Sequence, residues 1–331
     1  MTDFIDRRTV LKGAAAAGAS LIAAPAVAQA NYPSRPITMV CPWGAGGGTD
    51  ATARIVAQLL EKDLGQPVNV VNRTGGGGVV GHTEMVNAKP DGYTIGLATA
   101  EVTTFYWSNT APFTYEKLTP IALVNFDSAA FNVAANSPWG DLRAALDDIK
   151  KQPVGKYKLS GMAAGAAYHL AFAGLLQLEG IDPKAVVVVP SQGAAPGFQE
   201  LASGGVQIVP SSLPEGKPMF DAGRVKSLAV MSKEKIGAFP AVPTVKDAIG
   251  KEYEGGTWRG LAAPAGVPAE ITAKLVEAAD KVANSEEYKK FLAERGFGHA
   301  YAKGPAFGEF LATQHKNNGE IMGALGLRLR Q

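Results

Sequence analysis

Residues 40–54 read V-C-P-W-G-A-G-G-G-T-D-A-T-A-R, and this stretch constrains the fold most. Ile37–Cys41 is an apolar run of strand length. Four glycines follow between Gly44 and Gly48. From residue 51 to 64, Ile55, Val56, Leu59 and Leu60 recur at helical spacing, with Thr49 and Asp50 as N-cap residues. The order is strand, glycine turn, helix. It gathers free backbone N–H groups and the positive end of a helix dipole at one spot, which suits an anion. Glycines let the backbone approach a ligand where a Cβ would clash.

The 331-residue chain is long enough for two domains. A formal charge of +2 gives no reason to expect nucleic acid or an anionic membrane as partner. The first thirty residues carry adjacent Arg7 and Arg8, then a small apolar run over 13–27, then Ala28-Gln29-Ala30. This reads as an export signal cleaved after Ala30, and the paired arginines followed by Leu11-Lys12 resemble a Tat signal. The apolar run is too short and too rich in Ala and Gly to span a bilayer stably. The mature chain is therefore expected in the periplasm. Its one cysteine, Cys41, ends a strand pattern, so it reads as a buried thiol.

Further strands are expected at Val68–Asn72, 93–98, 121–125, 129–134, 156–159, 186–190, 206–209, 227–231 and 258–262. Helices are expected at 82–88, Leu142–Lys151, 168–178, 195–203, 271–283, Glu286–Arg295 and Pro305–Ala324. Such alternation argues for a parallel α/β sheet. Strand, small-residue turn and helix come again at 156–178, through S-G-M-A-A-G-A-A at 160–167.

Other readings of the first turn are weaker. Thr49 stands where a dinucleotide fingerprint needs its third glycine, and 68–72 holds no acid for a ribose. No Lys-Ser/Thr pair follows for a phosphate loop. A tight turn without a ligand remains an alternative. No G-x-S-x-G or H-E-x-x-H motif occurs. A hydrolase using His169 and Asp50 is the enzyme alternative. His82, His169, His299 and His315 are widely spaced, with no metal-ligand pair at i, i+4.

A series of motifs runs from Tyr32 to Pro268: Y-P-S-R-P-I-T, P-W-G-A-G-G-G-T-D-A-T-A-R, L-G-Q-P-V-N-V-V-N-R-T-G-G-G-G-V-V-G, K-P-D-G-Y-T-I, L-T-P-I-A-L-V, A-V-P-T-V-K-D-A and W-R-G-L-A-A-P-A-G-V-P. The series resembles the Bug/TctC family, the extracytoplasmic solute-binding proteins of tripartite tricarboxylate transporters. The resemblance implies a two-domain periplasmic binding protein fold of type II-like α/β architecture. Domain 1 would hold residues 31–128 and 257–331, and domain 2 residues 129–256. It implies a cleft closing on a small mono- or dicarboxylate, aliphatic or aromatic, with no chemistry of its own. No cofactor, metal or nucleic acid is expected. A membrane permease is the expected partner, and the receptor is expected to act as a monomer.

The implied ligand contacts are Trp43, Ala45, Gly46, Gly47, Thr49 and Asp50 on the first turn, and Thr99 and Glu101 after the third strand. The opposite lip would supply Ala164, Gly165, Ala166 and His169, with Ser191, Gln192 and Ser211 also facing the cleft. Trp43, Tyr106, Trp107 and Tyr168 are candidate aromatic walls. The chain departs from the family pattern at Gly161, Met162 and Ala166, where hydroxyl residues are usual, and at Ser191-Gln192, where a Tyr-Lys pair is usual. The missing cation and hydroxyls argue against a highly charged ligand such as citrate.

Overall fold

A computed structural model describes residues 32–324 and 326–330. The export signal and its cleavage site lie outside the described residues. From Arg35 onward the chain forms one compact unit.

Its larger sheet has six strands. These are β1 (Ile37–Cys41), β2 (Val68–Asn72), β3 (Thr94–Thr99), β4 (Leu118–Ser128), β9 (Gly256–Pro264) and β10 (His299–Lys303), in the spatial order β10-β4-β9-β3-β1-β2. β1 pairs in parallel with β2 and β3. β9 runs antiparallel between β3 and β4, and β10 antiparallel beside β4. Four of the six strands thus share one direction. β1 is almost wholly buried, so it reads as an unbroken apolar run and not an alternating one. Helices α1 (Gly48–Leu64), α2 (Val79–Asn87), α8 (Ala269–Asn284), α9 (Glu286–Arg295) and α10 (Pro305–Ala324) accompany this sheet. Met85, Phe105, Trp258 and Phe307 fill one of its cores.

The intervening chain carries α3 (Leu142–Lys151), α4 (Ala167–Leu178), α5 (Ala194–Ser203), α6 (Lys217–Asp221) and α7 (Val245–Ile249). Its strands pair as β5 (Ala130–Ala134) with β8 (Val225–Val230), and β6 (Tyr157–Leu159) with β7 (Val186–Val188). Phe131, Trp139, Phe172 and Leu175 lie in its own core. The strand expected at 206–209 is reduced to two single bridges, Ile208 to Leu159 and Val209 to Asn132. Pro210 has no N–H to continue a ladder. The Asn132 amide instead donates to the Val209 and Ser211 carbonyls, at 2.8 and 2.7 Å. The two small sheets are joined through these bridges.

The chain leaves the large sheet at Ser128 and returns at Gly256, and these two residues are direct partners across β4 and β9. A Cβ at Gly256 would lie 2.2 Å from the Asp127 carbonyl oxygen, so glycine permits the close crossing.

Candidate functional site

Local sequence builds the first corner differently from the cap expected at Thr49 and Asp50. α1 begins at Gly48, and its N-cap is Gly47, extended at φ −82° and without a side-chain cap bond. A helix start leaves its first N–H groups without intrahelical partners, and here no side chain takes them. Asp50 lies inside the first turn and works from behind it. Its carboxylate accepts from the Gly46 N–H at 3.0 Å, from Arg54 at 2.9 and 3.0 Å, and from Asn72 at 2.9 Å. Burial alone would raise the Asp50 pKa, but the bonds from Arg54, Gly46 and Asn72 hold it below the ordinary carboxylate value. Asp50 therefore shapes the turn. Ala45 and Gly46 stand on its exposed outer side.

A partly open cavity lies over this corner. Trp43, Gly44, Gly47, Gly48 and Thr49 form one wall, with Thr99 and Glu101 from the end of β3. Gly161, Met162 and Tyr168 come from the other half, as do Gly193, Ala194, Ala195 and Pro196 at the start of α5. The N-cap of α5 is Gly193, again with no side-chain cap. Two uncapped helix N-termini, of α1 and α5, thus meet one cavity. The Gly44 N–H donates to the Gln192 carbonyl at 3.2 Å, tying the two walls together.

The lip expected at 164–169 is not assembled there. The Ala167 N–H, first in α4, donates to Glu101 Oε1 at 3.4 Å. The Gly165 N–H donates to His169 Nδ1 at 2.9 Å. The first N–H of α4 is thereby taken by a protein group, and the strand-turn-helix unit from β7 to α5 supplies the second terminus at the cavity. Ala164 and His169 line a different cavity with Pro183 and Val187. Gly165 and Ala166 are buried away from the main cavity. Burial pushes the His169 pKa down to about 4. His169 and Asp50 are not brought into one site, so the hydrolase alternative has no geometry. Ser191 turns its hydroxyl onto the Gly193 carbonyl at 2.9 Å, while Gln192 offers its backbone. Ser211 is fully buried behind Gly161. Of the candidate aromatic walls, Trp43 and Tyr168 line the cavity. Trp107 instead stacks on His315 at 4.7 Å, with Tyr106 edge-on to it.

Three connected side chains organise the β3 end. Trp43 Nε1 donates to Thr99 Oγ1 at 3.2 Å, and Thr99 Oγ1 donates to Glu101 Oε2 at 2.5 Å. Burial raises the Glu101 pKa by more than its bonds from Thr99 and Ala167 lower it. Behind them, His82 Nε2 accepts the Thr99 N–H at 3.1 Å, and its Nδ1 meets the Gly78 carbonyl at 2.7 Å. That pattern places the ring proton on Nδ1 of a neutral imidazole. Burial brings the His82 pKa to about 4.

Sequence reasoning missed the charged centre. Arg259 of β9 and Asp127 of β4 each have 1% of the side chain exposed, and Glu215 has 6%. Arg259 Nε donates to Thr49 Oγ1 at 2.9 Å and Nη2 to Glu215 Oε1 at 2.7 Å. Nη1 donates to Asn125 Oδ1 at 2.5 Å and to Asp127 Oδ2. Burial opposes the guanidinium charge, yet Asp127 and Glu215 raise the Arg259 pKa overall. For Glu215 burial wins: its pKa is raised despite Arg259, and the charge of Asp127 adds to the rise. A Cβ on Gly48 would lie 2.6 Å from Glu215 Oε1 and 2.8 Å from Arg259 Nη2, so this close approach needs glycine. Arg259 within the apolar run W-R-G-L-A-A was the available signal, since a buried guanidinium requires acids nearby.

A cavity between the large sheet and the intervening chain, reached by helix N-termini, suits a small molecule. Residues 52–327 match the model of the tripartite tricarboxylate transporter family receptor (TctC), and the chain belongs to that family. A protein from the tcbD-tcbE intergenic region of Pseudomonas sp. strain P51 is 30% identical over 88% of this chain and 86% of its own. A TctC solute-binding protein from Polaromonas is 34% identical, with a TM-score of 0.64 over 88% of this chain and 99% of its own. MatC from Rhodopseudomonas palustris, solved with bound malate, is 25% identical, with a TM-score of 0.78 over 88% and 99%. The chain is a periplasmic solute-binding receptor with a periplasmic binding protein fold. Among the described residues, no helix is long and apolar enough to cross a membrane.

Proposed function

We propose that this receptor captures a small organic carboxylate in the cavity between the α1 and α5 corners. It then presents the ligand to the permease of a tripartite transporter. The observation that carries this reading is the meeting of two uncapped helix N-termini, at Gly47–Gly48 and Gly193–Ala194, on one cavity. Backbone N–H groups at such termini favour an anion. The malate seen in MatC supports the ligand class. Residues 129–256 move as domain 2 against domain 1, and the paired crossing at Ser128 and Gly256 serves as the hinge. The receptor works as a monomer, exported by a Tat signal cleaved after Ala30.

A thermal-unfolding screen of the purified protein against mono-, di- and tricarboxylates tests this. A ligand at one hundred times its dissociation constant stabilises the folded state by about 2.7 kcal/mol. A shift with at least one carboxylate is expected. Shifts with sugars or nucleotides, and none with any acid, would show that the glycine corner is only a turn.

A further inference from the structure

The function proposed above leaves His169 unused. It stands in the first turn of α4 and is 7% exposed. Its Nδ1 accepts the Gly165 N–H at 2.9 Å. A neutral imidazole that accepts at Nδ1 carries its proton on Nε2. Burial keeps the ring neutral at ordinary pH, with a pKa of about 4. Among the described residues, nothing accepts a hydrogen bond from that Nε2–H. A donor on a side chain this buried costs free energy until it meets an acceptor.

The ring lines the cavity between α4, the chain entering β7 and the C-terminal tail. Ala173, Pro183, Val187 and Leu327 give that cavity apolar walls. Val187 is 44% exposed, a branched aliphatic side chain still open to solvent. Lys184 lines the cavity too. Its backbone N–H is fixed on Asp182 Oδ1 at 2.9 Å, while its ammonium has no carboxylate partner among the described residues. A Cβ on Gly326 would lie 3.8 Å from the Lys184 ammonium nitrogen, which sets that charge beside the tail just before Leu327. Among the described residues no acid lines this cavity, whereas Glu101 and Glu215 line the main one. One fixed N–H, one cation and hydrocarbon walls suit an anion with an apolar body. An ionised acceptor also makes the stronger bond to both donors.

We propose that this cavity is a second ligand site for a small apolar monocarboxylate, its oxygens on His169 Nε2–H and the Lys184 ammonium, its hydrocarbon part against Pro183, Val187 and Leu327. Tyr168 and His169, neighbours on α4, then serve two different sites. This second site stands on its own residues and does not depend on the carboxylate reading of the main cavity.

Calorimetric titration of the receptor with hexanoate tests it. Acetate supplies the charge without the body, and hexan-1-ol the body without the charge. Hexanoate should bind about tenfold tighter than either, or more. Lys184→Gln and Val187→Asp alter exposed side chains, so both proteins should fold. Lys184→Gln should weaken hexanoate about threefold, and Val187→Asp, which sets a carboxylate on the apolar wall, about tenfold. His169→Asn keeps an acceptor for the Gly165 N–H and loses the donor at the Nε2 position, so it should cost about tenfold. His169→Gln, with a longer amide, should recover part of that loss. Where the wild type takes up two equivalents, these variants should affect one and leave the other. Hexanoate binding unchanged in both Lys184→Gln and Val187→Asp would assign the acid to the main cavity, uphold the carboxylate reading there and overturn the second site. Hexan-1-ol binding as tightly as hexanoate would make the cavity an apolar pocket and overturn the anion assignment. No uptake of hexanoate at all would also overturn the second site, leaving the main cavity to the thermal screen.

Discussion

The corners leading into α1 and α4 share one local grammar and meet different fates. Each follows a short strand, passes through small residues and starts a helix whose N-cap, Gly47 or Ala166, makes no side-chain cap bond. At the first corner the acid comes from behind: Asp50 fixes Gly46 and leaves the helix start facing the cavity. At the second the acid comes from in front: Glu101 takes the Ala167 N–H. His169 takes the Gly165 N–H as well. A helix N-terminus offers an anion site only where the rest of the fold leaves its donors free. Local sequence places the donors; a residue far along the chain decides who receives them.

The largest test of that contrast removes the long-range support of the first corner. Arg259 binds Thr49 of α1 while pairing with both Asp127 and Glu215. Arg259→Met keeps much of the volume and leaves two buried acids uncompensated. Breaking a buried pair in this way costs about 3–5 kcal/mol. Urea unfolding should show that loss, and Arg259→Met combined with Glu215→Gln should recover part of it. An unchanged unfolding midpoint in the single variant would mean that the first corner holds itself without β9.

Two histidines are also buried, His82 behind Thr99 and His169 at the second corner, and both are held to a pKa of about 4 by burial. The unfolded value is near 6.5. A histidine with a depressed folded pKa binds fewer protons than the unfolded chain. Its contribution is complete above about pH 6.5 and is lost as pH falls toward 4. Between pH 6.5 and 5 each should cost on the order of 2 kcal/mol. Glu101 and Glu215 act with the opposite sign. Their raised folded pKa values stabilise at low pH, and that contribution is lost as pH rises through those values. Urea unfolding at a series of pH values should therefore show wild type losing stability from pH 6.5 to 5. His169→Gln should lose about half as much of the histidine-linked part, leaving the His82 share. Parallel curves for the two proteins would place the proton uptake elsewhere.

Much of this was legible in the chain itself. The glycines at 44–48 and the periodicity of 51–64 located the first corner, and family motifs gave the fold. V-V-V-V-P at 186–190 followed by Gly193 carried the same strand-turn-helix order as the corner at 160–167. Nothing local told which of the two would keep its donors. That depended on Glu101, more than sixty residues away, reaching Ala167. Thr49, the β4 pair Asn125 and Asp127, Glu215 and Arg259 come from four separate segments and join only in the folded chain. Helical or strand periodicity reports a residue's own element. It carries no information about which charges will share a buried centre.

The smallest expected effect is at Glu101, and it bears most directly on the contrast. Glu101→Ala removes the acceptor in front of α4 and leaves its helix start as open as that of α1. Loss of a capping group costs about 0.5–2 kcal/mol, a modest fall in the urea midpoint. The same change takes a negative charge from the cavity wall and frees donors there, so dianions should gain affinity over monoanions by a severalfold factor. Calorimetry with succinate and propionate measures that ratio in the variant and in wild type. Glu101→Gln separates the two effects, since its amide oxygen can still accept from Ala167 while the charge is gone. It should retain the stability and show only the charge-dependent part of the gain. An alanine variant with wild-type stability and an unchanged dianion ratio would mean that another group closes the second corner.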